Sequence, residues 1–213
     1  MPKVKTPATP NGALPQQVVA IPAMELREAT FTLIGTSPLI VHNWSEKAKR
    51  QLREKHAKAA RQGREKRDPE AEFQSSLYKI SDKVHGFPVR AFKRAAGDAW
   101  THVEGLRKGI ILGSFHIING VSSKDGDLLP LEYSDLRKRE DMVRVSMGAA
   151  DLRYRGEYIG WKVNVTVRYN VRVISLEQIL NICNVAGFAK GIGEMRPELG
   201  GSNGMFAVQE KER

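Results

Sequence analysis

Hydrophobic and polar residues alternate most regularly over residues 158–173. The apolar positions are Trp161, Val163, Val165, Val167 and Tyr169, and the polar positions are Lys162, Asn164, Thr166, Arg168 and Asn170. Successive side chains of a strand point to opposite faces of its sheet. The stretch therefore predicts one long strand with a buried face and a solvated face.

A second alternating stretch covers residues 26–42, where Ala29, Phe31 and Leu33 alternate with polar residues. Pro38 interrupts it before the apolar run resumes at residues 39–41. Because proline has no N–H to donate to a strand ladder, we predict a bulge or a strand break at this position.

Two stretches have the spacing of amphipathic helices. One opens at Pro88 and continues with Val89, Phe92, Ala96, Ala99 and Val103. The other opens with a capping box, Ser175-Leu-Glu-Gln178, and continues with Ile179, Leu180, Cys183 and Ala186. Shorter strands are predicted at Ile110–Ile118, Leu128–Tyr133, Met142–Ser146 and Met205–Val208.

The order of these elements is strand–helix early in the chain and strand–helix–loop–strand late. This order predicts an α+β fold: a ferredoxin-like, RRM-like antiparallel sheet with helices on one face and insertions between its halves. Residues 1–22 are rich in proline and predict a flexible tail. One domain should span residues 23–209, with a basic helical arm at 44–67 and an inserted middle region at 119–157, before a charged end at 210–213.

The chain is basic: 34 Lys and Arg residues stand against 24 Asp and Glu, for a net charge of +10. Such an excess favours a polyanionic partner, of which nucleic acid is the commonest in a cell. The alternative is a basic surface that serves solubility alone. Much of the excess lies in the arm, where Trp44, Lys47 and Arg50 are candidates for stacking and for phosphate contacts; a charge run of this kind is also typical of a solvated helix face.

A second candidate is the glycine loop, Gly187–Gly204, which carries Lys190, Gly191, Gly193 and Arg196. Its N–H groups are candidates to cradle a phosphate; the alternative is a helix cap followed by a mobile loop. A third candidate is the cluster Arg144, Arg153, Tyr154 and Arg155, whose guanidinium groups suit phosphate and whose ring suits stacking. This cluster equally suits a strand edge protected by charge.

Catalytic and metal-binding patterns are poor. None of the five histidines (His42, His56, His85, His102 and His116) has a partner at the spacing of a metal site. The single cysteine, Cys183, falls on an apolar helix face and predicts a buried thiol in a reducing compartment. No stretch is apolar for long enough to span a membrane, and no secretory signal is evident. We therefore expect a cytoplasmic protein that has no cofactor and is not an enzyme.

Three stretches resemble the RAMP superfamily of repeat-associated RNA-binding proteins, which includes the Cas7-like subunits of CRISPR effectors. Leu33–Val41 resembles the first strand of that family with its Ser-Pro-Leu break, and Gly86–Ala96 resembles the family's helix start, with Pro88 and Lys93 at corresponding places. Gly191–Phe206 resembles its C-terminal glycine-rich loop and last strand. The overall pattern also resembles uncharacterised proteins of tailed phages.

The resemblance implies a modified RRM core that binds single strands and polymerises side by side along them. The leading hypothesis is thus a sequence-tolerant binder that coats single-stranded RNA or DNA as an oligomer. Its proposed phosphate contacts are Lys93, Arg94, Arg153, Arg155, Lys190 and Arg196, and Tyr154 and Trp44 would stack on bases. The alternatives are a ribonuclease of the same family and a phage-type interaction protein that blocks a host ribonucleoprotein.

Overall fold

The computed structural model describes residues 22–43, 67–144 and 150–210, and the side chain of Arg144 falls outside that description. The strands are β1 (Leu26–Gly35), β2 (Leu39–Val41), β3 (Gly86–Pro88), β4 (Phe115–Ile117), β5 (Val121–Ser123), β6 (Gly126–Pro130), β7 (Asp135–Arg144), β8 (Ala150–Ile159), β9 (Lys162–Asn170) and β10 (Phe206–Val208). The helices are α1 (Pro69–Ser76), α2 (Val89–Asp98), α3 (Lys108–Ser114) and α4 (Leu176–Ala189).

The main sheet has the strand order β10-β1-β9-β4, and its neighbours all pair antiparallel. Along the chain, α2 connects β1 to β4 and α4 connects β9 to β10. The chain order β1-α2-β4-β9-α4-β10, combined with the sheet order β10-β1-β9-β4, is that of the ferredoxin-like fold, which RRM domains share. The predicted fold class is therefore confirmed.

One face of the main sheet packs under α2 and α4 and forms the core. Leu33 on β1 and Val163, Val165 and Val167 on β9 are at most 2% exposed. They join side chains of both helices in one apolar cluster, in which Phe92, Ala96, Ile179 and Ala186 take part. Burial of each large apolar side chain stabilises the fold by about 1.5–3 kcal/mol.

The opposite face of the main sheet is polar. Thr30 and Thr166 share a hydrogen bond of 2.9 Å, and the Thr32 hydroxyl donates to Asn164 at 2.8 Å. None of the outward positions of these four strands carries Phe, Tyr or Trp, as far as the structure describes them. This face therefore lacks the aromatic platform on which RRM domains stack bases.

The predicted interruption at Pro38 is a strand break. β1 ends at Gly35, and β2 leaves the main sheet to pair with β8 in a second sheet, ordered β2-β8-β7. The intervening turn is fixed, because the indole Nε1 of Trp161 donates to the carbonyl of Ser37 at 2.8 Å.

Two strand predictions need correction, and a third extends beyond the described residues. The stretch 158–173 is not one strand: β8 ends at Ile159, Gly160 takes a φ of 56°, and β9 begins at Lys162 in the main sheet. Residues 110–118 form most of α3 before β4 begins. Residues 142–144 of the candidate at 142–146 form the end of the longer strand β7, and residues 145 and 146 lie outside the described residues.

Both amphipathic helices are present, but the first is shorter than predicted: α2 ends at Asp98, and a 3-10 turn follows at Ala99–His102. α4 carries the complete capping box: Ser175 Oγ accepts from the N–H of Gln178, and the Gln178 side chain accepts from the N–H of Ser175. The proline-rich tail before Pro22 and the basic arm before Arg67 lie outside the described residues. Among the helices that are described, none combines the length and the apolar composition that crossing a membrane requires.

Candidate nucleic-acid interface

The start of α2 and the glycine loop face each other across a groove that encloses about 230 Å³. We call it the α2–loop groove. Its cationic lining residues are Arg90, Arg94, Lys190 and Arg196, and its acidic ones are Asp98, Glu194 and Glu198. Its apolar lining residues are Tyr78, Phe87, Pro88, Ala91, Ala95 and Ile192. Two stretches about a hundred residues apart in sequence therefore form one site.

α2 presents its arginines one helical turn apart. Arg90 and Arg94 lie at positions i and i+4, which share a helix face, and both are exposed. The side chain of Arg94 is 76% exposed and lies 3.4 Å from Asp98, whose carboxylate also pairs with Lys108. These pairings lower the pKa of Asp98, with the Lys108 hydrogen bond as the largest cause. Arg90 and Arg94 remain reachable from solvent.

The glycines of the loop serve close packing. A Cβ at Gly193 would lie 2.4 Å from the carbonyl oxygen of Ile40, and one at Gly204 would lie 1.7 Å from that of Ile192. The loop amides donate to the chain itself: Gly191 to Ala186, Glu194 to Ile40 and Gly204 to Pro38. These amides are engaged, so an anion in the groove would meet the side chains of the loop.

The two basic side chains of the loop differ in freedom. Arg196 is 27% exposed; it donates to the carbonyl of Gly193 at 3.0 Å and pairs with Glu198 at 2.8 Å. Lys190 follows α4 as its C-cap, and its side chain is part of the groove lining. Arg196 therefore holds the loop's shape as well as contributing charge.

A buried charge cluster lies behind the groove. The Arg155 guanidinium is 2% exposed and sits 3.4 Å from Asp141 and 3.4 Å from Glu194, and its Nε has no hydrogen-bond partner among the described residues. Asp141 also accepts from Arg139 at 2.8 Å, and Arg139 in turn pairs with Glu157 at 2.8 Å. Arg155 thus lies beneath the surface, where it supports Glu194 and does not reach solvent.

His42 follows β2 and lines the groove beside this cluster. Its Nδ1 is 3.9 Å from Glu194 Oε1. Burial lowers the pKa of His42 most, and the positive charges of Arg155 and Arg153 lower it further while Glu194 raises it. Arg153 does not line the groove; its side chain lies 3.6 Å from Asp151.

The remaining predicted residues lie elsewhere. Lys93 donates to the carbonyls of Ile111 and Phe115 and stands 3.5 Å from the centre of the Phe115 ring, and burial lowers its pKa to about 8. It therefore joins α2 to α3 and β4. Tyr154 is half-buried, and a hydrogen bond to Glu140 raises its pKa. The side chains of Arg144, Trp44, Lys47 and Arg50 lie outside the description.

Arg90, Asp98 and Glu194 were not among the residues expected at a site. The i, i+4 spacing of Arg90 and Arg94 was a usable indication, since it places both on one helix face. No local pattern marked Glu194, because its role depends on contact with β2 and β8. Within residues 22–43, 67–144 and 150–210, no group of three or more His, Cys, Asp and Glu is arranged to hold a metal ion.

Two solved structures are similar to the chain over most of its length. Cmr6 from Pyrococcus furiosus, a crystal structure, aligns with a TM-score of 0.42 and 11% identity, over 88% of this chain and 100% of that one. A cryo-EM structure of the type III-B Cmr-beta complex bound to cognate target RNA aligns with a TM-score of 0.49 and 10% identity, over 88% of this chain and 60% of that one. No family model and no curated protein matches the sequence. The fold assignment rests on strand order.

Proposed function

We propose that the chain binds single-stranded nucleic acid in the α2–loop groove. The observation that carries the proposal is the convergence of α2 and the glycine loop on a groove with four cationic side chains, Arg90, Arg94, Lys190 and Arg196. Arginine forks bind phosphate through paired hydrogen bonds, and lysine adds a point charge. The groove therefore suits a phosphate backbone.

The groove favours a single strand over a duplex. Its apolar lining, in which Tyr78 is partly exposed, suits an unstacked base, and a duplex keeps its bases paired and stacked. Among the carboxylates near the cations, Asp98 is partly neutralised by Lys108, which lies outside the groove lining, whereas Glu198 pairs with Arg196, one of the groove's own cations. Since the polar face of the main sheet has no aromatic side chain on its described outward positions, we assign binding to the groove. Assembly side by side along the strand remains part of the proposal.

Fluorescence anisotropy with labelled oligouridine tests this proposal across a salt series. Each phosphate contact on a single strand contributes about 0.7 to the slope of log K against log salt, so contacts from all four cations give a slope near about −2.8. The variant Arg90→Ala/Arg94→Ala should lose about 1.4 of that slope. Its affinity should fall about 25-fold at about 0.1 M salt and only about 3-fold at about 0.5 M salt.

The matched control is Arg27→Ala/Arg172→Ala, which removes the same charge. Arg27 lies at the start of β1 and Arg172 follows β9, at the end of the main sheet away from the β1–β2 break. This control should keep most of the affinity. Absent binding, or equal losses in the two double variants, would refute the proposal. Parallel titrations with single-stranded DNA separate the two nucleic acids, and electron microscopy with and without oligonucleotide tests assembly.

A second candidate function is RNA cleavage, which the position of His42 favours. It lines the same groove, and its lowered pKa keeps the imidazole neutral and able to accept a proton near pH 7. Incubation with end-labelled RNA, with and without EDTA, decides this: cleavage that His42→Ala abolishes supports it, and intact RNA removes it. Retention of a protein partner from nuclease-treated lysate would instead favour the interaction-protein alternative.

A further inference from the structure

The α2–loop groove has the size and the lining of a pocket for one base. Its volume of about 230 Å³ is below the roughly 300 Å³ at which pockets for drug-sized ligands begin. The partly exposed ring of Tyr78 belongs to its apolar lining and packs edge-on against the buried Phe87, with ring centres 5.6 Å apart, and the cations of the groove can engage flanking phosphates. A strand following those cations can therefore turn one base inward.

Glu194 supplies a carboxylate fixed in position within this groove. Its N–H donates to the carbonyl of Ile40 at 2.9 Å, and the preceding Gly193 approaches that same carbonyl too closely for any larger residue. Its Oε2 lies 3.4 Å from the buried Arg155, while its Oε1 is 3.9 Å from His42 Nδ1, beyond hydrogen-bond distance. The side chain is 37% exposed, so it can meet a ligand.

A carboxylate in a phosphate-binding groove repels phosphate and accepts hydrogen bonds only. Among the bases, guanine alone presents two adjacent donors, N1–H and N2–H, on its Watson–Crick edge; adenine and cytosine present one amino group, and uracil one N3–H between two carbonyls. Carboxylates recognise paired donors best when both oxygens are used together. The Glu194 carboxylate is therefore suited to guanine.

We propose that the α2–loop groove selects a guanine in the bound strand, with Glu194 accepting from its Watson–Crick edge and Arg155 positioning Glu194. This inference rests on the proposed function, since the strand must first occupy the groove. It departs from the sequence-tolerant binding expected from the sequence. It also assigns a positioning role to the buried Arg155, whose two ion-pair contacts among the described residues are both 3.4 Å long.

The test measures anisotropy of oligouridine strands that carry one central G, inosine, A, C or U. The strand with G should bind at least about 5-fold tighter than all-U, the lower bound for a bidentate base contact. Inosine, which lacks the N2 amino group, should fall between them. Free GMP should displace the G-containing strand, and UMP at the same concentration should not.

Glu194→Gln should abolish the preference for G, because an amide offers one acceptor and one donor. The matched control Glu198→Gln changes a second carboxylate of the groove and should keep the preference. Arg155→Met, which leaves Glu194 in place without its partner, should weaken it, and circular dichroism verifies that each variant is folded. Tight binding that ignores the central base, or a preference that survives Glu194→Gln, overturns this inference and leaves the proposed function standing. If no strand binds, both fail.

Discussion

The buried charge cluster predicts an asymmetry between its two ends. Asp141 is 6% exposed and serves two arginines, Arg139 at 2.8 Å and Arg155 at 3.4 Å. Arg155 is 2% exposed, yet both of its contacts are 3.4 Å long and its Nε has no partner among the described residues. Removing the Asp141 carboxylate should therefore lower the free energy of unfolding more than removing the Arg155 guanidinium.

Asp141→Asn leaves Arg155 buried, with the partly exposed Glu194 as its one remaining counter-ion among the described residues. Uncompensated burial of a charge costs about 3–5 kcal/mol, and we expect the lower figure because Glu194 remains. Arg155→Met removes the charge and keeps an apolar side chain of similar length, while Asp141 retains Arg139. Replacing a buried charged group by an apolar side chain of similar size is often neutral, so Arg155→Met should lower the free energy of unfolding by no more than about 1 kcal/mol.

Urea unfolding and thermal melting of both variants give the comparison. For a chain of this size each kcal/mol moves Tm by about 2–4 °C, so Asp141→Asn should lower Tm by roughly 6–12 °C and Arg155→Met by no more than about 4 °C. If Arg155→Met proves as destabilising as Asp141→Asn, the view of Arg155 as a weakly paired, positioning cation is refuted.

Three further outcomes follow from local geometry. Gly204→Ala should lower Tm more than Gly200→Ala. Both glycines have a positive φ, 66° and 81°, which costs an alanine about 1–2 kcal/mol, but a Cβ at Gly204 would also meet a backbone oxygen, whereas one at Gly200 would meet nothing within 4 Å. Equal shifts in Tm would contradict this. Burial lowers the pKa of His85, so the stability that its neutral form contributes is present above about pH 6.5 and is lost as pH falls through the folded pKa. In His85→Gln the free energy of unfolding in urea should therefore fall less between pH 7 and pH 5 than in the unmodified protein. An equal fall in both proteins would contradict this. Burial raises the pKa of Cys183 to about 12, so iodoacetamide should label it only after unfolding, and rapid labelling of the native protein would argue otherwise.

The fold was predictable where local pattern and tertiary structure agree. The capping box at Ser175 and the alternation of residues 162–170 need only their own neighbours, and both are observed. The break between β8 and β9 was hidden because Trp161 is buried and so continues the alternation of Val163 and its successors across the turn at Gly160. Periodicity reports burial and does not report which sheet buries the residue.

The site was only partly predictable, for a related reason. Arg94, Lys190 and Arg196 line one groove, and their contact with nucleic acid stays a prediction. Arg155 sits on the same strand as Arg153, and alternation places both on one face. Arg155 contacts Asp141 of β7 and Glu194 of the glycine loop, and the second contact joins residues 39 positions apart.

Photo-crosslinking tests the central claim most directly. A single-stranded RNA carrying one photoreactive uridine is bound to the protein, irradiated and digested, and the crosslinked peptides are identified by mass spectrometry. The account predicts adducts on the α2–loop groove, within residues 78–98 and 190–198, and their loss in Arg90→Ala/Arg94→Ala. Adducts confined to the polar face of β1 and β9, around Thr30 and Thr166, would contradict it.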